Sequence, residues 1–178
     1  MLRIGGQKMN FRLAVMEDLM QLKEVYRRII QCMNDDNLQV WDEIYPCEYF
    51  AEDIENERLY ILEDDDKIAA AFALCNSNDG ADSVKWEKNN AEALYIDRLG
   101  VNVDYLRRGI GSLMLDKAVE AAKERNAEYL RLFVVDINKP AINLYIKNGY
   151  KQVIGVYDEV IDEELTLHEY GFEIKTGR

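Results

Sequence analysis

Cysteine, histidine and proline are scarce in this chain of 178 residues, and each shortage closes off a class of chemistry. The three cysteines, Cys32, Cys47 and Cys75, form an odd set with no C-x-x-C pair. Neither a disulfide framework nor a zinc site is indicated, no metal is expected, and the thiols read as small hydrophobes in a reducing cytoplasm. The single histidine, His168, lies in a strand-like stretch (ELTLHEYGFEI), which argues against a His-dependent triad. Two prolines and ten glycines exclude collagen-like and low-complexity chains. Apolar runs approaching the ~18 residues of a membrane span are absent. The opening residues (MLRIGGQKMNF) also lack the apolar stretch of a secretory signal. These absences predict a soluble, cytoplasmic protein.

Positive charge is in deficit as well. Lysine and arginine number 22 against 34 aspartates and glutamates, a formal net charge of −12. Such a surface repels phosphate backbones, so neither nucleic acid nor a membrane is an expected partner, and cationic small molecules are favoured. What the chain does have is a core. Hydrophobic residues make up 48% of it, and a chain this size buries roughly 70% of its extended surface without staples. At roughly 150 residues per domain, one domain is expected over residues 10–178. A loose segment over residues 1–9 precedes it, with Met9 as an alternative start.

Residues 10–15 (NFRLAV) alternate like a strand. Leu19, Leu22, Val25, Tyr26, Ile29 and Ile30 then recur at helical spacing over residues 16–33. Pro46 opens a second helix through about residue 57. RLYILE and KIAAAFALC, joined by the run Asp64-Asp65-Asp66, read as a hairpin, and residues 76–90 as a polar surface loop. Further on, ALYIDRLGV is a strand, residues 109–125 a helix, and LRLFVV the apolar run of a strand covered on both faces. Asn138 caps a short helix through Lys147 that Gly149 closes, and two last strands follow over residues 150–157 and 165–174. The order βααββ(loop)βαβαββ predicts an α/β (α+β) fold: one twisted, mixed sheet with helices on both faces.

The informative junction is Leu99-Gly100-Val101, a short turn, then Leu106-Arg107-Arg108-Gly109-Ile110-Gly111-Ser112. Two glycines at a helix start allow close backbone approach. They leave N–H donors pointing outward, where the helix dipole and two arginines make an anion site. A tight turn with two arginines in solvent accounts for the spacing equally well. A dinucleotide fingerprint would need a third glycine where Met114 stands, and a Walker loop would need Gly-Lys-Ser/Thr. A phosphorylated cofactor of another kind fits better.

The run YIDRLGVNVDYLRRGIGSLML, followed about thirty residues later by NKPAINLYIKNGYKQVIG, resembles the GNAT superfamily of acyl-CoA-dependent N-acyltransferases. The likeness is specific over residues 93–157, and the elements from about residue 10 fit its N-terminal half. It implies a mostly antiparallel sheet that splits between ALYIDRLGV and LRLFVV, with pantetheine inserted there. It further implies that Leu99, Gly100 and Val101 meet the pantetheine arm through their backbone. By the same resemblance, the amides of Arg107, Arg108, Gly109, Ile110, Gly111 and Ser112 hold the pyrophosphate of acetyl-CoA, Asn138 contacts the cofactor, and Tyr145 faces its sulfur. Leu106 departs from the family, which usually carries Gln or Arg there.

Attack on a thioester needs a neutral amine and a donor for the departing sulfur. Tyr145 is the natural donor, although a helical tyrosine beside Ile142 and Ile146 also reads as core. Alternation places Tyr95, Asp97, Leu99 and Val101 on one strand face, so Asp97 is the candidate base, with a bound water relay or a simple salt bridge as the alternatives. The family's commonest acid position holds Tyr95. Trp41, Tyr45, Trp86 and Tyr95, with Asp42 and Glu43, form the candidate acceptor set, suited to a cationic amine, while a Trp-x-x-x-Tyr-Pro segment could equally serve packing. The leading reading is direct acetyl transfer to a small or protein amine in a ternary complex. The rivals are a non-catalytic acyl-CoA sensor and an unrelated anion-binding domain. Edge strands near the C-terminus, residues 165–174, offer unpaired backbone and predict a homodimer.

Overall fold

The computed structural model describes residues 2–4 and 7–177. Its strands are β1 (Leu2–Ile4), β2 (Gln7–Leu13), β3 (Leu59–Asp64), β4 (Lys67–Cys75), β5 (Val84–Lys85), β6 (Ala93–Val101), β7 (Tyr129–Val135), β8 (Lys151–Gln152), β9 (Ile154–Gly155), β10 (Tyr157–Val160) and β11 (Thr166–Lys175). The helices are α1 (Leu19–Asp35), α2 (Phe50–Glu55), α3 (Ile110–Glu124) and α4 (Lys139–Lys147). The chain forms two compact units, Met1–Leu74 with Arg98–Met114 and Cys75–Asp97 with Leu115–Arg178, so the boundaries fall inside β6 and α3.

In the first unit β1, β2, β3 and β4 pair antiparallel in that order. Tyr60 stacks on Phe11 at 5.3 Å and on Phe72 at 5.4 Å, an aromatic ladder across β2, β3 and β4. The buried stripe of α1 is Leu22, Val25, Tyr26, Ile29 and Ile30, the spacing read from the sequence. The start of α1 is tied to β2 because Asp18 accepts from both terminal nitrogens of Arg12, at 2.7 and 2.9 Å, and from the Val15 amide at 2.8 Å.

In the second unit β6 and β7 run parallel, with Ala93–Ile96 facing Tyr129–Leu132, while β11 is antiparallel to β7, β8 and β10. Both strands of the parallel pair continue past that ladder, and the unit boundary lies one residue beyond it, after Asp97. The mixed, mostly antiparallel α/β architecture expected from the sequence is present. Among the described residues no helix is long and apolar enough to cross a membrane.

Several local expectations need correction. Within residues 1–9, expected to be loose, Leu2–Ile4 pairs antiparallel with residues 7–9. The second helix is shorter than Pro46 suggested. A 3-10 turn over Cys47–Tyr49 precedes α2, and Glu57 at φ 52° lies outside the helical region. The polar loop at residues 76–90 is not a surface loop throughout. It contains a 3-10 turn (Asp79–Ser83) and β5, which pairs with β9, and it buries Val84 and Trp86. The strand expected at residues 150–157 breaks into β8, β9 and the start of β10, because each fragment has a different partner or register.

Gly100 shows how tightly α1 meets β6 within the first unit. A Cβ there would lie 2.8 Å from Cζ of the Tyr26 ring and 3.0 Å from Ile29 Cδ1. The Tyr26 side chain is fully buried and hydrogen-bonded, so it has little room to yield. Gly100→Ala is expected to cost roughly 1–3 kcal/mol through overpacking, read as a melting temperature lowered by several degrees in circular dichroism. An unchanged melting curve would show that α1 is not seated this closely.

Candidate functional site

The loop between β6 and α3 lies in the first unit and is held by buried polar anchors. The Asn102 side chain donates to the Ile68 carbonyl at 2.8 Å, and its own amide donates to the Ala69 carbonyl at 2.9 Å. The Tyr105 hydroxyl donates to Asp64 at 2.9 Å. Burial and that carboxylate push the Tyr105 phenol up to about 12. Leu106, Arg107, Arg108 and Gly109 then stand exposed, with Arg107 at φ 61° and Gly109 at φ 79°. Nothing lies within 4 Å of where a Cβ on Gly109 would be. Left-handed residues before a helix turn successive amides toward one concavity, and the first turn of a helix leaves its N–H groups without partners inside it. Ile110, Gly111 and Ser112 are that first turn, in a helix of 15 residues. The Arg108 guanidinium lies 5.2 Å over the Tyr105 ring, while the surrounding loop faces solvent. The backbone and the charges suit a phosphate group.

Leu99 and Val101 are half-buried on β6. The even alternation expected from Tyr95 to Val101 is interrupted between them and Asp97, since Arg98 has φ 57°, outside the β region. The Arg98 side chain is only 7% exposed, and the residue was not anticipated as part of the site.

In the second unit Asp97 is half-buried at the end of the β6–β7 ladder and accepts from the Asn78 amide at 3.3 Å. Two further carboxyls, Glu159 on β10 and Glu169 on β11, belong with it. Glu169 loses water on burial and faces the charges of Glu159 and Asp97, which raise it to about 7. Burial, then Asp79, raises Glu159, and the two glutamates share a hydrogen bond. The strand pattern could have flagged Glu169 as an acid in an apolar stretch, but nothing local pairs it with a residue on β10.

Tyr145 is buried on α4, its ring 6.0 Å from Phe172 and 6.1 Å from Tyr150, and burial pushes its phenol well above the usual range. Ile146, expected on the same apolar face, is exposed instead. The Tyr150 hydroxyl is buried beside Tyr145 and has no hydrogen-bond partner among the described residues. Asn138 caps α4, its side-chain oxygen accepting from the Ala141 amide at 3.2 Å, so only its amide group is left for a ligand. Phe172 pairs with Leu132, which pairs with Ile96. By strand alternation Tyr145 therefore packs on the face opposite to Asp97.

The acceptor candidates separate into two groups. Trp41 and Tyr45 lie half-buried in the first unit as part of an edge-to-face series: Trp41–Tyr45 at 6.5 Å and Tyr45–Tyr49 at 5.7 Å. Tyr49 is a member that the sequence did not suggest. Trp86 and Tyr95, in contrast, are core residues of the second unit. The Trp86 N–H donates to the Ala81 carbonyl at 2.8 Å, the Arg131 guanidinium lies 4.4 Å over its ring, and Tyr95 meets it edge-on at 6.2 Å. Their expected place in an open pocket is corrected: both rings are already engaged. Among the described residues no group of three or more His, Cys, Asp or Glu side chains is arranged to hold a metal ion.

The profile of the family described as Acetyltransferase (GNAT) family matches residues 17–150. Streptothricin acetyltransferase A of Bacillus subtilis (strain 168) is 31% identical over 140 residues, 77% of this chain and 78% of its own. An N-alpha-acetyltransferase of Sulfurisphaera tokodaii is 32% identical over 113 residues, 62% of this chain and 68% of its own. The crystal structure of an acetyltransferase of the GNAT family from Streptococcus agalactiae 2603 matches with a TM-score of 0.77 at 20% identity, covering 100% of each chain.

The raised Glu169 carboxyl carries a stability consequence. An unfolded glutamate titrates near its ordinary value of 4.5, whereas the folded one titrates at about 7. Between those values the folded chain holds a proton that the unfolded chain has released, so this residue's contribution falls as pH rises through the window. Glu169→Gln removes that dependence. The melting temperature of the wild type minus that of the variant is expected to decline between pH 5 and 8 by at least ~3 °C, about 1 kcal/mol for a chain of this size. Parallel curves would show that Glu169 keeps an ordinary pKa.

Proposed function

Because this chain belongs to the GNAT family of acetyltransferases and is an acetyl-CoA-dependent N-acetyltransferase, we propose that its acceptor is the primary amine of a small cationic molecule, acetylated by direct transfer in a ternary complex. The observation that carries this reading is that one unit holds, on one face of its sheet, a phenol kept protonated by burial and, on the other, a set of carboxyls of which one titrates near neutrality. A sensor that only binds acyl-CoA needs neither. The names of the relatives cover both streptothricin and N-alpha amines. The net charge of −12 and the carboxyl set favour a cation.

Acetyl-CoA supplies the acetyl group as an activated thioester. The residues of the first unit fit its phosphates: the left-handed loop ahead of α3, with exposed Arg107 and Arg108, suits the pyrophosphate. In this reading Arg107, Arg108, Gly109, Ile110, Gly111 and Ser112 hold the phosphates, and the backbone from Leu99 to Val101 pairs with the arm. The Asn138 amide adds a contact, and Trp41 and Tyr45, with Tyr49, present aromatic faces to the acceptor cation. Asp97, directly or through water, takes the proton of the incoming ammonium. The neutral amine nitrogen then bonds to the acetyl carbon as the carbon–sulfur bond breaks. Tyr145 keeps its proton and hydrogen-bonds through its O–H to the departing sulfur, which leaves as the thiolate of CoA and takes up the proton that the new amide nitrogen sheds. Glu169, poised near neutrality, is a second reading of the base, favoured by its titration range.

The strand expected to be the free edge, β11, is paired on both sides, by β7 and by β10, so the edge is β10; exposed Val160 ends it and exposed Ile161 and Leu165 follow, which supports self-association of that edge into a homodimer. Light scattering at tens of micromolar, roughly the range where weak contacts register, is expected to return twice the chain mass, and a monomer mass would end that reading.

The transfer itself is tested by thiol release over a panel of amines. Turnover is expected with small polycations and with wild-type enzyme, while Tyr145→Phe, which keeps the ring and its packing, should lower kcat by about 10²-fold with acetyl-CoA affinity nearly unchanged. Wild-type turnover in the variant would leave the leaving sulfur to water. Binding of acetyl-CoA with no turnover on any amine would favour the sensor.

A further inference from the structure

Arg98 is clamped at both ends. Its φ of 57° places a residue with a Cβ in the left-handed region, a strained conformation that persists only where its surroundings impose it. On the backbone side, the Tyr26 hydroxyl donates to the Arg98 carbonyl at 2.5 Å and reaches the Ala71 carbonyl at 3.2 Å. On the side-chain side, the guanidinium donates to both oxygens of Asp53, at 2.8 and 3.0 Å. Asp53 is wholly buried and accepts a further bond from Arg58 Nε at 2.6 Å. The clamp thus draws on α1, α2 and the start of β3, all in the first unit.

The same guanidinium lies 5.1 Å over the Tyr49 ring. From there ring contacts run through Tyr45 at 5.7 Å and Trp41 at 6.5 Å, and on to Tyr26 at 5.7 Å. Tyr26 is the residue that holds the Arg98 carbonyl, so the circuit closes on the residue where it began. Two features of the same strand segment therefore share one support: the peptide groups that follow residue 98, and the aromatic segment at residues 41–49. A bidentate fork is needed for this, because a lysine would offer one point charge where Asp53 receives two parallel bonds.

We propose that Arg98 is a positioning residue, whose clamped left-handed backbone aims the peptide groups of Leu99 and Val101 at the pantetheine arm and ties them to the aromatic segment at residues 41–49. This rests on the reading of those peptide groups as the pantetheine contact. Loosening either end of the clamp lets residue 98 relax toward the β region, which rotates the peptide that follows and displaces both groups together. Arg98 touches neither reacting atom, so its loss weakens cofactor capture and leaves the chemical step at saturation largely alone.

The test compares wild type with Tyr26→Phe, Arg98→Lys and Arg98→Gly, by calorimetric titration of acetyl-CoA well below each melting temperature and by steady-state kinetics. Tyr26→Phe and Arg98→Lys are expected to raise the Kd and KM for acetyl-CoA roughly tenfold, within the 10²-fold cost of misplacing a group by about 1 Å, with kcat within about twofold. Arg98→Gly permits the left-handed backbone but removes the fork, and should bind at least as weakly. Wild-type affinity in Arg98→Lys and Arg98→Gly overturns the proposal, as does wild-type affinity in Tyr26→Phe, which deletes one oxygen and keeps the test open where the arginine variants fail to fold. A wild-type protein that does not bind acetyl-CoA overturns instead the functional reading beneath it.

Discussion

A carboxylate taken out of water has to be matched by positive charge where it lies, or its burial becomes prohibitive. Asp53 is wholly buried and meets that condition with two guanidiniums, Arg58 at 2.6 Å and Arg98 at 2.8 and 3.0 Å. Much of the first unit follows from satisfying this one group. It fixes where α2 ends, because the Asp53 carbonyl also accepts from the Arg58 amide at 2.9 Å as the chain turns into β3. It brings a cation beneath Tyr49, and it holds a left-handed residue inside β6. Removing either arginine would leave Asp53 with a single guanidinium and part of its hydrogen-bonding capacity unmet, so these residues are constrained together.

The second unit treats charge in two ways. Arg131 and Glu173 are a closed structural pair: the arginine donates to Glu173 at 3.3 Å and to the Lys88 carbonyl at 2.8 Å, and Glu173 also accepts from the Glu87 amide at 2.7 Å. Each charge is answered, and the pair supports Trp86 and Tyr95 as core. Around Glu169 the dominant influences are lost water and other carboxylates, which drive its proton affinity up instead of down. Paired charges in this unit build the sheet, and the crowded carboxyls are the ones whose proton affinity the fold raises.

Legibility in the sequence followed the range of each interaction. β6, β4 and the Asn138 cap were readable because period, apolar content and cap chemistry are written within a few residues. The loop from Arg107 to Ser112 was readable for the same reason, since a glycine at φ 79° before a helix announces a backbone requirement locally. The Arg98–Asp53 pair spans 45 residues and the Glu159–Glu169 pair crosses a hairpin, and neither distance leaves a periodic trace. Trp86 misled for a related cause. Its neighbours in sequence are polar, whereas Arg131, Tyr95 and Phe133, which enclose it, come from two later strands. The short strands after residue 150 were run together because partner changes, unlike turns, have no residue signature.

Burial raises both Tyr145 and Glu169, yet its chemical meaning is opposite for the two. A carboxyl moved from the usual acid range to about 7 becomes a better acceptor, able to hold an ammonium proton at neutral pH and to release it afterwards. A phenol moved above its ordinary value near 10 becomes a poorer acid than a thiol, whose reference pKa is about 8.5. Complete proton transfer from Tyr145 to a departing thiolate is therefore uphill. What the buried phenol supplies is an O–H that never ionises at working pH. In the proposed transfer that O–H offers a charge-assisted hydrogen bond to sulfur as negative charge develops, worth roughly 1.5–3 kcal/mol. That bond strengthens only as the carbon–sulfur bond breaks, which is the condition for it to speed the reaction instead of merely holding the substrate. The same desolvation that weakens Tyr145 as an acid thus preserves it as a donor, while sharpening Glu169 as a base.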